Sequence, residues 1–163
     1  VYLLPSDGRL EVLDRQGYEL NTLYTHLDAL NAGSVTIFID ACFSGVSRAT
    51  ETYNMQNLVA MKGVSIKPKL KQPWIDNPDF TVFTSSAFNE TSLGYDPSQS
   101  GLFTYFVCAG LLGEADADTD GNITSGELKN YVIQNVSETS VKIRGQQTPR
   151  FYGNEDKILG TYR

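Results

Sequence analysis

The sequence predicts an α/β layer with a mostly parallel sheet. Two runs supply the strands: Val35-Thr36-Ile37-Phe38-Ile39, β-branched and apolar on both faces, and Phe80-Thr81-Val82-Phe83-Thr84-Ser85. Strands of this kind belong to parallel sheets that helices cover on each side. Helical spacing of apolar residues recurs around these runs, and an alternation of helix with strand is the pattern of an α/β layer. At 163 residues, 40% of them hydrophobic, the chain has the size of one ordinary domain and can bury a core.

Taken in order, Tyr2-Leu3-Leu4 is a short strand closed by Pro5-Ser6-Asp7-Gly8, a combination suited to a turn. From Glu19 to Leu30, Leu20, Leu23, Tyr24, Leu27 and Leu30 fall at helical spacing, and Asn31-Ala32-Gly33 supplies the stop. The strand from Val35 ends at Asp40. Ser47 to Pro78 is polar and lysine-bearing, with no sustained period, and reads as a long mobile loop over about 47–78 holding a short helix around Met55 to Met61. Gly101 to Leu112 is almost wholly apolar and reads as a buried helix that Ser100 caps. Leu128, Tyr131, Val132 and Val136 mark a further amphipathic helix, and Thr148 to Tyr152 a last strand. No internal repeat is present.

Charge and cysteine usage narrow the function. A net charge of −6 argues against a binder of phosphate backbones, and an acidic surface favours encounter with basic peptides. No apolar run approaches membrane-spanning length, and Val1 to Gly8 lacks the order of a secretory signal, so no nucleic-acid or membrane partner is expected. Two cysteines make no disulfide framework, which points to a reducing compartment and a cytoplasmic location.

Asp40-Ala41-Cys42-Phe43-Ser44-Gly45 stands where the buried strand runs out into a small-residue turn. In open α/β sheets ligands bind beyond the carboxyl ends of the strands, so a thiol here faces a crevice. Without context, Cys42 would read as a small hydrophobe closing a strand. The hexapeptide resembles the nucleophile motif of caspase-like peptidases, above all metacaspases, paracaspases and bacterial orthocaspases, in which an acid stands two residues before the cysteine and Ser-Gly follows. Phe80 to Asp96 resembles that family's next strand and pocket-forming segment, Gly101-Leu102-Phe103-Thr104-Tyr105 the start of the following helix, and Gln147-Thr148-Pro149 the approach to the final strand. The match runs in the right order over most of the chain. It implies a caspase-like α/β/α sandwich, here lacking its N-terminal strands, with residues 1–163 as the C-terminal portion of one peptidase domain.

The resemblance implies a cysteine endopeptidase acting through a Cys-His dyad, with Cys42 as nucleophile. The caspase histidine lies about 50 residues upstream of the cysteine, which puts it before Val1, in an upstream segment or a separate N-terminal fragment. His26 lies at the edge of the apolar face of its helix without the glycine neighbours of a His-Gly loop, and reads as a surface or boundary residue. A peptidase that selects a basic residue needs a carboxylate in its pocket, since an unpaired buried charge is costly. Asp40 occupies the position that is acidic in the arginine- and lysine-selective relatives, so the expected substrate is a polypeptide cut after Arg or Lys. Glu90 belongs to a segment resembling a second wall of that pocket. The alternatives are a strand-end carboxylate for Asp40 and a solvated loop residue for Glu90. The loop from Lys62 to Lys71 is either a solvated linker or an autoprocessing site, and Cys108 reads as inert packing.

A second motif is independent of the first. Asp116-Ala117-Asp118-Thr119-Asp120-Gly121-Asn122-Ile123-Thr124-Ser125-Gly126-Glu127 reproduces the EF-hand pattern, with acids at the first, third and fifth positions, glycine at the sixth and glutamate at the twelfth. Asp116, Asp118, Asp120, the Asn122 carbonyl, Thr124 and a bidentate Glu127 are the expected ligands of Ca²⁺, in a structural or regulatory role. Thr124 and Glu127 alone would make a capping box for the last helix, Gly113 ends the incoming helix early, and a single loop lacks a paired partner. The other function classes open to this chain are a catalytically inactive caspase-like scaffold and a calcium-binding interaction module.

Overall fold

The computed structural model describes residues 1–5, 7–41, 70–87, 90–143 and 145–162. In chain order the elements are β1 (Tyr2–Leu3), α1 (Leu13–Gln16), β2 (Tyr18–Glu19), α2 (Leu20–Asp28), β3 (Val35–Ile39), β4 (Phe80–Thr84), β5 (Gly94–Tyr95), β6 (Ser100–Gly101), α3 (Leu102–Ala109), β7 (Asn122–Thr124), α4 (Ser125–Lys142), β8 (Arg150–Tyr152) and β9 (Ile158–Thr161). A wide turn over Gly110–Glu114 follows α3. Among the described residues no helix is long and apolar enough to cross a membrane.

The central sheet has the order β3-β4-β8 among these residues, with β3 parallel and β8 antiparallel to β4. The sheet is therefore mixed where a mostly parallel one was expected. The last strand reverses because the chain enters β8 from 145–149, at the Ser85 end of β4, where Gln147 is bonded to Ser85. Three two-stranded ladders, β1-β2, β5-β6 and β7-β9, lie apart from it.

Every residue of β4 is buried, and the strand's two-residue alternation divides the core in two. Phe80 and Val82 join Leu20 and Tyr24 of α2, with Val35, Ile37 and Ile39 of β3 on the same face. Phe83 points the other way, into Leu102, Phe103 and Val107 of α3 and Leu128, Val132 and Val136 of α4. Helices thus cover both faces, giving three layers. Burial pushes the Tyr24 phenol up to about 12, as expected for a hydroxyl taken out of water on the α2 face.

Several local expectations change. Leu30 is 67% exposed, because α2 stops at Asp28 and Leu30 falls after the last turn. Phe38 is partly exposed and stacks on Phe83 at 5.1 Å, since β3 has β4 as its one strand partner among the described residues. The helix from Leu102 is amphipathic rather than buried throughout: Phe103 and Val107 face the core, while Thr104, Tyr105 and Cys108 face outward. Gly101, not Ser100, is its N-cap, and the Ser100 hydroxyl bonds the Gly101 carbonyl instead. The expected loop over 47–78 and the helix around Met55 to Met61 lie outside the described residues up to 69. From Leu70 onward the segment is packed, with Trp74 stacked on Tyr152 at 4.8 Å and edge-on to Tyr24 at 5.7 Å, so its last residues are not a mobile loop. Lys71 is held against α2 by Asn21 and Thr25.

Close approach and a positive φ together require glycine just past β8. Gly153 has φ +135°, and a Cβ there would sit 3.0 Å from the Phe80 carbonyl and the Thr81 Cα.

Candidate functional site at the carboxyl end of β3

Asp40 follows β3 directly, and strand alternation puts it on the face of Phe38, toward α3. Ser92 Oγ donates to Asp40 Oδ1 at 2.5 Å, and Thr104 Oγ1 donates to Oδ2 at 2.5 Å. Ser92 is wholly buried ahead of β5, whereas Thr104 is exposed in the first turn of α3. The carboxylate therefore joins the end of β3 to two elements distant in sequence. Ser85, just past β4, completes this end of the sheet: its amide donates to Ile39 O at 2.8 Å and its hydroxyl to Ala41 O at 3.2 Å. Residues 42–45, the remainder of the motif with Cys42, lie outside the described residues.

Glu90 accepts from four donors. Its Oε2 takes the amides of Ala87 at 3.3 Å and Thr148 at 2.6 Å, and its Oε1 the Thr148 hydroxyl at 3.0 Å and Gln146 Nε2 at 3.3 Å. It is not a loosely solvated loop residue. It ties the turn after β4 to the approach to β8. Gln147 makes the same connection from inside: fully buried, it donates from Nε2 to Ser85 O at 2.9 Å and accepts from the Leu93 amide at Oε1 at 2.7 Å.

His26 is exposed, with Nδ1 at 3.2 Å from the Tyr18 hydroxyl, in agreement with a surface reading. Cys108 is exposed rather than packed, because it lies about 100° round the helix from the inward Val107.

At the other motif, Asp116, Asp118 and Asp120 each offer a carboxylate oxygen within 4.8 Å of the others, with Asp118 and Asp120 exposed. The loop folds around them through its own amides. Gly121 N donates to Asp116 Oδ2 at 3.0 Å, Asp120 N to Asp118 Oδ1 at 3.2 Å and Asn122 N to Asp120 Oδ1 at 2.7 Å. Gly121 takes φ +83°, the left-handed turn that the motif's glycine serves. Thr124 and Glu127 do form a capping box on α4, and Glu127 Oε1 also reaches back to the Ala117 amide at 3.0 Å. Asn122 Oδ1 accepts from the Thr161 hydroxyl at 2.8 Å.

The electrostatics of the loop follow from these contacts. The Tyr162 hydroxyl, 2.7 Å from Oδ2, helps to hold Asp116 below the usual carboxylate range, with backbone amides adding to it. The Thr124 amide and hydroxyl do the same for Glu127. Asp118 accepts from the Asp120 amide, which lowers it, but desolvation and the charges of Asp120 and Glu127 together raise it. Asp116 Oδ1 is buried and, among the described residues, has no hydrogen-bond partner. Gly113, with φ +120°, breaks the incoming helix as expected. Among the described residues the strand of the loop, β7, pairs antiparallel with β9 rather than with a second loop of its kind, and Tyr162 N donates to Gly121 O at 3.0 Å.

Sequence reasoning missed Ser92, Thr104, Gln147 and Tyr162. The hydroxyls on Asp40 stand 52 and 64 residues from it, beyond any local pattern. Tyr162 follows a strand that carries little alternation of its own.

Neither a family model nor a curated protein gives a significant match to the chain.

Gln147→Leu leaves the Ser85 carbonyl and the Leu93 amide without their partner, and is expected to cost about 2–4 kcal/mol, read by urea unfolding. An unchanged midpoint would contradict the role given to this buried amide.

Proposed function

We propose that the chain is the cysteine-bearing part of a caspase-like cysteine endopeptidase that cuts polypeptides after Arg or Lys. The observation that carries the reading is the Asp40 to Gly45 motif starting directly beyond β3, at the carboxyl end of a strand parallel to β4. Ligands of open α/β sheets bind at that end. Helices on both faces of β4 support the caspase-like sandwich, and the held carboxylate of Asp40 supports a basic selectivity.

The chemistry divides between this chain and the histidine of an upstream segment or second chain. The imidazole takes the proton from the Cys42 thiol, and the sulfur bonds to the scissile carbonyl carbon. Backbone amides near Cys42 stabilise the oxyanion that forms. The C–N bond breaks as the imidazolium gives its proton to the leaving amine. Water then adds to the thioester, the imidazole accepting a proton from it, and the carboxylic acid leaves as the thiol is restored. Asp40 pairs with the basic side chain before the scissile bond, and Glu90 holds the neighbouring wall.

Ca²⁺ fits the second site by its donor set. Three clustered carboxylates carry like charge without a cation, and the buried Asp116 Oδ1 lacks, among the described residues, a partner that a metal ion would provide. Asp116, Asp118, Asp120, the Asn122 carbonyl, Thr124 and Glu127 would hold it, and the ion would fix the junction of β7 with α4.

Two outcomes test these proposals. The complete protein, histidine segment included, is expected to cleave fluorogenic peptides ending in Arg or Lys and not those ending in Asp, with the activity lost in Cys42→Ala. Cleavage after Asp alone would overturn the pocket argument for Asp40, activity that survives Cys42→Ala would overturn the nucleophile assignment, and no cleavage under any condition would favour the inactive scaffold. Ca²⁺ at 100 times its dissociation constant is expected to stabilise the fold by about 2.7 kcal/mol, and Asp116→Asn to remove most of that gain. A melting temperature that ignores Ca²⁺ would remove the metal proposal.

A further inference from the structure

The peptidase reading gives Asp40 the pairing with the basic side chain and Glu90 the neighbouring wall, and among the described residues two side chains hold the Asp40 carboxylate. Ser92 Oγ takes one oxygen and Thr104 Oγ1 the other, each at 2.5 Å. Their surroundings differ, and the difference is informative. Ser92 is wholly buried, where a hydroxyl needs an acceptor, so burial accounts for its bond. Thr104 is exposed. A hydroxyl on an exposed residue in a first helical turn has water as an alternative partner, so burial does not impose its bond to the carboxylate. Its engagement with Asp40 is therefore not imposed by burial, unlike that of Ser92.

A receptor carboxylate that turns freely must be ordered each time a substrate binds, whereas one held in advance carries no such cost. Holding each oxygen from a different element, the pocket segment on one side and α3 on the other, fixes both rotatable bonds of the aspartate. We propose that Thr104 and Ser92 are positioning residues for substrate selection, keeping Asp40 aimed at the basic side chain next to the scissile bond. This inference rests on the peptidase reading. It adds that selectivity depends on α3, an element that does not carry the nucleophile.

The test uses the complete protein with Arg- and Lys-ended peptides. Thr104→Val keeps the size and loses the hydroxyl; it is expected to raise KM about tenfold, the lower range for one hydrogen bond to a charged group, with kcat changed less than about twofold. Thr104→Ser is expected to restore KM, and the melting temperatures of all three proteins to agree. Ser92→Ala moves KM in the same direction, read beside its own unfolding midpoint because the site is buried. An unchanged KM in Thr104→Val, or a loss shared by kcat that Thr104→Ser does not rescue, would overturn the proposal while wild-type cleavage leaves the peptidase reading standing. Wild-type protein without Cys42-dependent cleavage would fail at the earlier step and take this inference with it.

Discussion

Asp40 follows a strand whose last residue, Ile39, is in the core, and its carboxylate makes bonds to two other elements. It finds Ser92 and Thr104, and the bonds it makes with them join β3, the segment ahead of β5 and the first turn of α3. Ser85, Glu90 and Gln147 extend the same linkage to β4 and to the approach to β8. One end of the sheet is thus knit by polar contacts, while its faces are held by apolar ones. Breaking the Asp40 contacts would loosen the relative placement of three elements without opening either hydrophobic cluster. A selective site benefits from that division, because its geometry is set by directional bonds rather than by bulk packing.

The opposite end of the sheet meets the acidic loop. Lys157, between β8 and β9, donates from Nζ to the carbonyls of Val35 at 3.1 Å and Asp79 at 2.9 Å, where β3 and β4 begin. Its own carbonyl accepts from Ser125 N at 2.7 Å, at the exit of the loop. Burial lowers the Lys157 ammonium, and the nearby Asp79 charge works against that shift. Gly126 N bonds the Glu155 carbonyl at 2.8 Å, and Lys129 pairs with the Glu155 side chain at 2.7 Å. Residues 155–157 therefore connect the exit of the loop to the base of the sheet. A cation proposed for this loop would act first on the stability of the domain.

What was legible in the sequence followed from strong local signals. β4 was plain from five consecutive strand-forming residues, α4 from Leu128, Val132 and Val136, and the acidic loop from its spacing. α2 was found through Leu20 and Tyr24, but its end was overrun to Leu30 because apolar spacing continues past the last hydrogen-bonded turn. Cys108 was misplaced since a helix rich in apolar residues hides its phase; only the neighbours of Val107 decide which side is inward. The antiparallel β8, the β7-β9 ladder and the hydroxyls on Asp40 depend on contacts between distant segments, for which one sequence gives no pattern. Asp40 was legible as a candidate, and what holds it was not.

The central claim, that the chain carries a nucleophile whose reach is governed by Asp40, is tested most directly by covalent labelling. The complete protein would be treated with peptidyl chloromethyl ketones ending in Arg or in Asp, and the label mapped by mass spectrometry to Cys42 or to the exposed Cys108. The account predicts that the Arg-ended reagent alkylates Cys42 while sparing Cys108, that the Asp-ended one leaves both untouched, and that Asp40→Asn slows the first reaction. Labelling of Cys108 in preference to Cys42, or equal reaction with both reagents, would contradict it.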